Sequence, residues 1–138
     1  MSEASQHKMF SARADIVGHW VAVMRHRRDD RAMELSPWKT RCIRPGEIHE
    51  IVLCRRDEVI RGAIDHVAYL GFAQAANGGV IAIGDDLVVS GKHIGEILGF
   101  DEKHMPNHYN ILVTVDEPVT GEELGLSVGE SIVVRTRN

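Results

Sequence analysis

Apolar and polar residues alternate with a period of two along most of this chain, in short stretches separated by glycine, proline or charged breaks. Side chains on a strand point alternately to opposite faces, so this period predicts strands rather than helices. Residues 15–25 form the first stretch. Trp20, Ala22 and Met24 would share one face and Val17, His19, Val21 and Val23 the other. Apolar residues on both faces predict a strand buried on two sides or set at a subunit contact, with Gly18 as a bulge.

Residues 26–31 read as a charged turn, and 32–35 and 39–44 as short strands around Ser36-Pro37. Pro45-Gly46 is a turn signal. Residues 47–55 then form a strand with His49, Ile51 and Leu53 on one face and Ile48, Val52 and Cys54 on the other. Residues 57–64 have room for one helical turn. Asn77-Gly78 lies between the apolar runs 65–75 and 80–83. Both residues tolerate positive φ, so the pair predicts a hairpin. Further strands are expected at 87–89, 93–100, 108–115 and 131–135. Tyr109, Ile111, Val113 and Val115 make the apolar face of the third of these.

Strands at this spacing with glycine turns between them predict a barrel or sandwich. No long amphipathic helix is present to cover a parallel sheet. The expected fold is all-β, an antiparallel barrel of about eight short strands, whose interior side chains or one small ligand would fill. Residues 1–12 read as a flexible tail and 13–138 as a single barrel domain.

Composition narrows the class. Hydrophobic residues make up 43% of the 138, which excludes a disordered chain. The first residues are polar and carry no apolar signal core, and no apolar run approaches the roughly 18 residues of a transmembrane helix. A cytoplasmic protein without membrane contact is therefore expected. Cys42 and Cys54 make no CxxC pair and read as small buried residues. Residues 1–61 carry a formal charge of +3 and residues 62–138 one of −7. The arginine cluster Arg25, Arg27, Arg28 and Arg31 is interrupted by Asp29 and Asp30. Mixed charge of this kind reads as a solvated turn, so no nucleic-acid partner is expected. The two-sided apolar pattern at 16–24 and the opposite charges of the halves point to a homo-oligomer.

Candidate chemistry gathers between two strands, at Gly99-Phe100-Asp101-Glu102-Lys103-His104-Met105-Pro106-Asn107-His108-Tyr109-Asn110. Loops at a barrel rim are common ligand sites. Asn107, His108 and Asn110, with His49 and His93 from neighbouring strands, are the expected contacts of a small polar or anionic ligand. His104, His108 and Asp101 are residue types that bind a divalent metal, the one cofactor this stretch suggests. Pro106 prevents the two histidines from forming a helical pair. No nucleophile elbow and no phosphate loop is present. Three functions stay open: a small-molecule binding barrel, a metal-dependent hydrolase or isomerase, and an oligomeric structural protein.

The segment from Gly99-Phe100-Asp101-Glu102 through Pro106-Asn107-His108-Tyr109-Asn110-Ile111 resembles small bacterial proteins of a family of unknown function, over much of residues 60–135. The resemblance implies a mainly β fold and a bacterial cytoplasmic origin. It assigns no activity and no catalytic residue.

Overall fold

A computed structural model describes residues 10–137, so residues 1–9 of the expected tail lie outside the described residues. In chain order the elements are β1 (Ile16–Val23), β2 (Arg27–Arg28), β3 (Thr40–Ile43), β4 (Ile48–Arg55), α1 (Arg56–Arg61), β5 (Val67–Ala75), β6 (Gly79–Ala82), β7 (Asp86–Val89), β8 (Lys92–Asp101), β9 (Asn110–Val115) and β10 (Ser131–Arg135).

Seven strands close a barrel in the order β1-β10-β7-β8-β9-β4-β5, with β5 pairing back to β1. Closure removes the open edges that a sheet of these strands would otherwise present. The mainly β barrel expected from the pattern is thus present, with one addition. β4 and β9 run parallel, from Glu50 opposite Asn110 to Arg55 opposite Val115, so the barrel is mixed. A parallel neighbour needs a long crossover, and residues 56–109 supply it by building four strands on the way.

The barrel is filled by its own side chains. Trp20, Ile51, Leu53, Leu70, Leu87, Phe100 and Val113 all point inward and are almost fully buried. The gap left among Ile16, Ile51, Ile111 and their neighbours is only ≈ 40 Å³. That is room for a water molecule, not for a ligand. A second apolar cluster lies on the outer face of β4, β5 and β9. There Met33 and Ile64 cover Val52, Cys54, Val67, Tyr69 and Leu112. Cys54 is fully buried in it, and burial pushes its thiol up to about 12, which leaves it unreactive.

Four local expectations are corrected. The Asn77-Gly78 hairpin does not form, because β5 pairs with β1 and β4 while β6 leaves to pair with β3. Asn77 is instead a staple. Its Oδ1 accepts the Val17 N–H at 2.8 Å and its Nδ2 donates to the Asp15 carbonyl at 2.8 Å. Residues 32–35 form an irregular strap rather than a strand, and the charged stretch before them supplies β2, which extends β5 beyond β1. The β1 bulge falls between Trp20 and Ala22, not at Gly18. It switches the strand's phase, so Val23 packs with the interior and Met24 with the outer cluster. Gly18 serves close approach, since a Cβ there would lie 2.4 Å from the Gln74 carbonyl oxygen.

Candidate functional site

β8 ends and β4 and β9 begin at one end of the barrel, where loop 102–109 joins β8 to β9. The β3–β6 sheet stands beside this loop. Between them lies a cleft of ≈ 770 Å³, whose lining includes Trp38, Arg41, Arg44, His49, Met105 and His108. This is the size range of small-molecule sites.

The wall is built from rings held by hydrogen bonds. His49 stacks on Tyr109 with ring centroids 3.5 Å apart, and the Arg41 guanidinium lies 4.3 Å from the Tyr109 ring centre. Arg41 also pairs with Glu102, which ties β3 to the loop. The Tyr109 N–H donates to His49 Nδ1 at 3.3 Å. That leaves the proton on Nε2, which faces Glu47 Oε1 at 2.7 Å. Burial lowers the His49 pKa, opposed in part by Glu47, and burial pushes the Tyr109 hydroxyl up.

His108 is the pivot of the site. Its ring stacks on His104 at 5.2 Å and meets the edge of Phe72 at 5.1 Å. Nδ1 lies 2.7 Å from Asn107 Oδ1, an acceptor, so Nδ1 carries the proton. Nε2 is buried and has no hydrogen-bond partner among the described residues. It lies 4.0 Å from Glu50 Oε1. Burial, then the charges of His104 and His49, lower the His108 pKa, against a smaller raising effect of the nearby Asn110 side chain, and favour the neutral ring.

Glu50 belongs to a polar row across the outer face of the barrel. Strand register sets Asp101, Asn110, Glu50 and Phe72 side by side on β8, β9, β4 and β5. Arg31 is buried beside this row and pairs with Asp101 at 3.1 Å. Burial raises the Glu50 carboxyl to about 7, against the opposing charge of Arg31. Asn110 is fully buried, and neither Nδ2 nor Oδ1 has a partner among the described residues.

Among the residues expected from the sequence, His49, Asn107 and His108 line the cleft together. Asn110 lies behind His108 in the outer row. His93 is elsewhere, about 25 Å along β8 from Asp101. There it faces Asp86 at 3.1 Å and Glu96 at 3.3 Å. These three can approach one metal ion, but Arg137 already pairs with Asp86 and Arg56 with Glu96. Of the other ligand-type trio, His104 and His108 are adjacent. Asp101 gives one oxygen to Arg31 and the other to the Lys103 N–H at 2.9 Å.

Sequence reasoning missed Trp38, Arg41 and Arg44, which reach the cleft from an element outside the barrel. It also missed Glu50, although a carboxylate in the apolar run 48–54, on the face of Val52 and Cys54, is itself a signal. A search of curated proteins and a search of solved structures each find no match. One family model does match, over residues 10–135, and the chain belongs to that family, described as a family of unknown function (DUF6917).

Proposed function

We propose that this protein is a small-molecule binding barrel, and that the cleft between loop 102–109 and β3 takes a small anionic ligand. The observation that carries this reading is the concentration of solvent-facing apolar and cationic groups at one place. Trp38, Ile48 and Met105 are 61%, 41% and 46% exposed, and all three line the cleft. Exposed apolar surface gathered in a concave site marks a place that something covers. Arg41 and Arg44 outnumber Glu47 among the charged lining residues, so the local field favours an anion. Arg41 is engaged by Glu102, whereas the Arg44 guanidinium has no ion-pair partner among the described residues. The Arg41 fork and the ordered ring stack add a rigid wall, which lowers the cost of ordering on binding.

Calorimetric titration with succinate and with inorganic phosphate tests the reading. Arg44→Ala is expected to weaken binding by about tenfold, the scale of one charge-assisted hydrogen bond. Lys92→Ala, an exposed cation outside the cleft, should leave affinity unchanged. Equal losses in both variants, or no binding to the wild type, would contradict it.

A further inference from the structure

We propose that Glu50, Asn110 and His108 form a subsite for ligand hydroxyl groups, opening from the cleft past the His108 ring, so that the ligand is a small hydroxylated acid. This inference rests on the cleft being the binding site. It deepens that reading by naming the hydroxyl groups of the ligand.

Buried polar groups in folded proteins nearly always have partners. Here three polar atoms in one place make no hydrogen bond of normal geometry among the described residues: Asn110 Nδ2, Asn110 Oδ1 and His108 Nε2, although the Asn110 and His108 side chains are near enough to interact with each other. Asn110 is fully buried, and the Glu50 side chain is 8% exposed. Glu50 and Asn110 are direct neighbours in the parallel β4–β9 ladder, so their side chains leave the sheet on the same face. His108 belongs to both environments. It lines the cleft, and its Nε2 is aimed toward Glu50. Neither Glu50 nor Asn110 lines the cleft itself, so the subsite requires the His108 ring to turn about its side-chain torsions, away from Asn107, when the ligand enters.

The donor and acceptor inventory selects the ligand group. Asn110 Nδ2 donates, while Asn110 Oδ1 and His108 Nε2 accept. A carboxylate only accepts, so it would leave two of the three unpaired and would sit beside Asp101 and Glu50. An ammonium only donates, so it would leave Nδ2 unpaired. A hydroxyl donates and accepts at one atom, and two hydroxyls on adjacent carbons satisfy all three groups. Glu50 in its protonated form both donates and accepts, which fits the same group. Arg31 and Asp101, the other charged groups packed against the row, neutralise one another. With Glu50 protonated, no net charge is therefore left in the row to prefer an ionic group. The ligand's negative charge is left to Arg44 and the open side of the cleft.

Tartrate and succinate share a carbon chain and two carboxylates and differ in two hydroxyls, so they test this directly by calorimetry. The wild type is expected to bind one tartrate enantiomer about tenfold or more tighter than succinate. Asn110→Val should abolish that preference, bringing tartrate affinity down to that of succinate. Arg44→Ala should weaken both ligands by the same factor. Glu50→Gln, which keeps shape and removes the carboxylic proton, should lose part of the preference and provides a second variant. Succinate and both tartrate enantiomers binding equally, with both ligands still sensitive to Arg44→Ala, would overturn the subsite and leave the cleft standing. Insensitivity of both ligands to Arg44→Ala would overturn the two together. A fall of several degrees in the melting temperature of Asn110→Val would also overturn the subsite, since it would make the Asn110 amide a structural member of the fold.

Discussion

Two buried polar centres in this barrel are built in opposite ways. Asp85, fully buried, has its carboxylate saturated. Arg13 grips it bidentately at 2.7 and 2.7 Å, the Ala82 N–H donates at 2.9 Å, and the Arg137 N–H donates at 3.1 Å. The group ties the segment before β1 and the segment after β10 to the β6–β7 turn, which is a structural task. At the other centre Glu50 and Asn110 are just as hidden, yet the Asn110 amide is unpartnered among the described residues and the Glu50 carboxyl is held near neutrality by burial. Burying polar groups without partners costs stability, so a fold retains them where they meet something else. Saturation marks an anchor, and under-saturation beside a cleft is the basis on which we propose a site.

That contrast breaks first at Asp85. Asp85→Ala leaves Arg13 buried without its counter-charge, and about 3–5 kcal/mol of stability should be lost. A denaturant melt showing less than about 1 kcal/mol would remove the anchor from the comparison.

Glu50→Gln comes next, through its pH dependence. The folded-state pKa of about 7 lies above the ordinary 4.5, so the folded protein holds this proton more tightly. The associated stability is fully present below 4.5 and is lost as pH rises through 7. Glu50→Gln should therefore be more stable than wild type by on the order of 3 kcal/mol at about pH 8, with the difference vanishing near about pH 4. Paired urea melts check this, and a difference independent of pH would refute it.

Glu58 supplies the opposite sign. Burial works against its charge, but the His66 N–H, the His66 ring and the Asp65 N–H hold the carboxyl down at about 2. Its stabilisation is present above 4.5 and lost as pH falls toward 2. Glu58→Gln should cost about 1–3 kcal/mol at neutral pH and should flatten the acid limb of the stability curve.

The smallest effect is expected at Asn110. Removing an unpaired amide from a buried site should be neutral or stabilising by about 1 kcal/mol, so Asn110→Val should match or exceed the wild type in a thermal melt.

How much of this was legible differs by level. Strand positions followed from the period of two, and the interior face formed by Tyr109 and, in β9, by Ile111, Val113 and Val115 could be read directly. Pairing partners were not readable, because they depend on contacts far apart in the sequence. Asn77-Gly78 has the chemistry of a hairpin turn, yet β6 finds a better partner in β3 and Asn77 becomes a staple for β1. A single bulged residue in β1 reversed the expected faces of Val23 and Met24.

At the cleft, the density of His, Asn and acid residues between 101 and 110 pointed to the loop that forms one of its walls. His49 joined it because β4 and β9 are neighbours. His93 did not, because it lies at the far end of β8 and pairs with acids from the β7–β8 hairpin. Glu50 gains its meaning only from the register that sets it beside Asn110 and from the His108 ring that reaches it. Arg44 and Trp38 gain theirs from the docking of a two-stranded sheet onto the barrel.

The most direct measurement is a ¹H–¹⁵N NMR titration of the full chain with tartrate. A site at the cleft predicts concentration-dependent shifts confined to residues 38–50, 105–110 and the Asn110 side-chain amide, with residues around Asp86 and His93 unmoved. Shifts centred on Asp86, His93 and Glu96, or scattered over the surface without saturation, would contradict it.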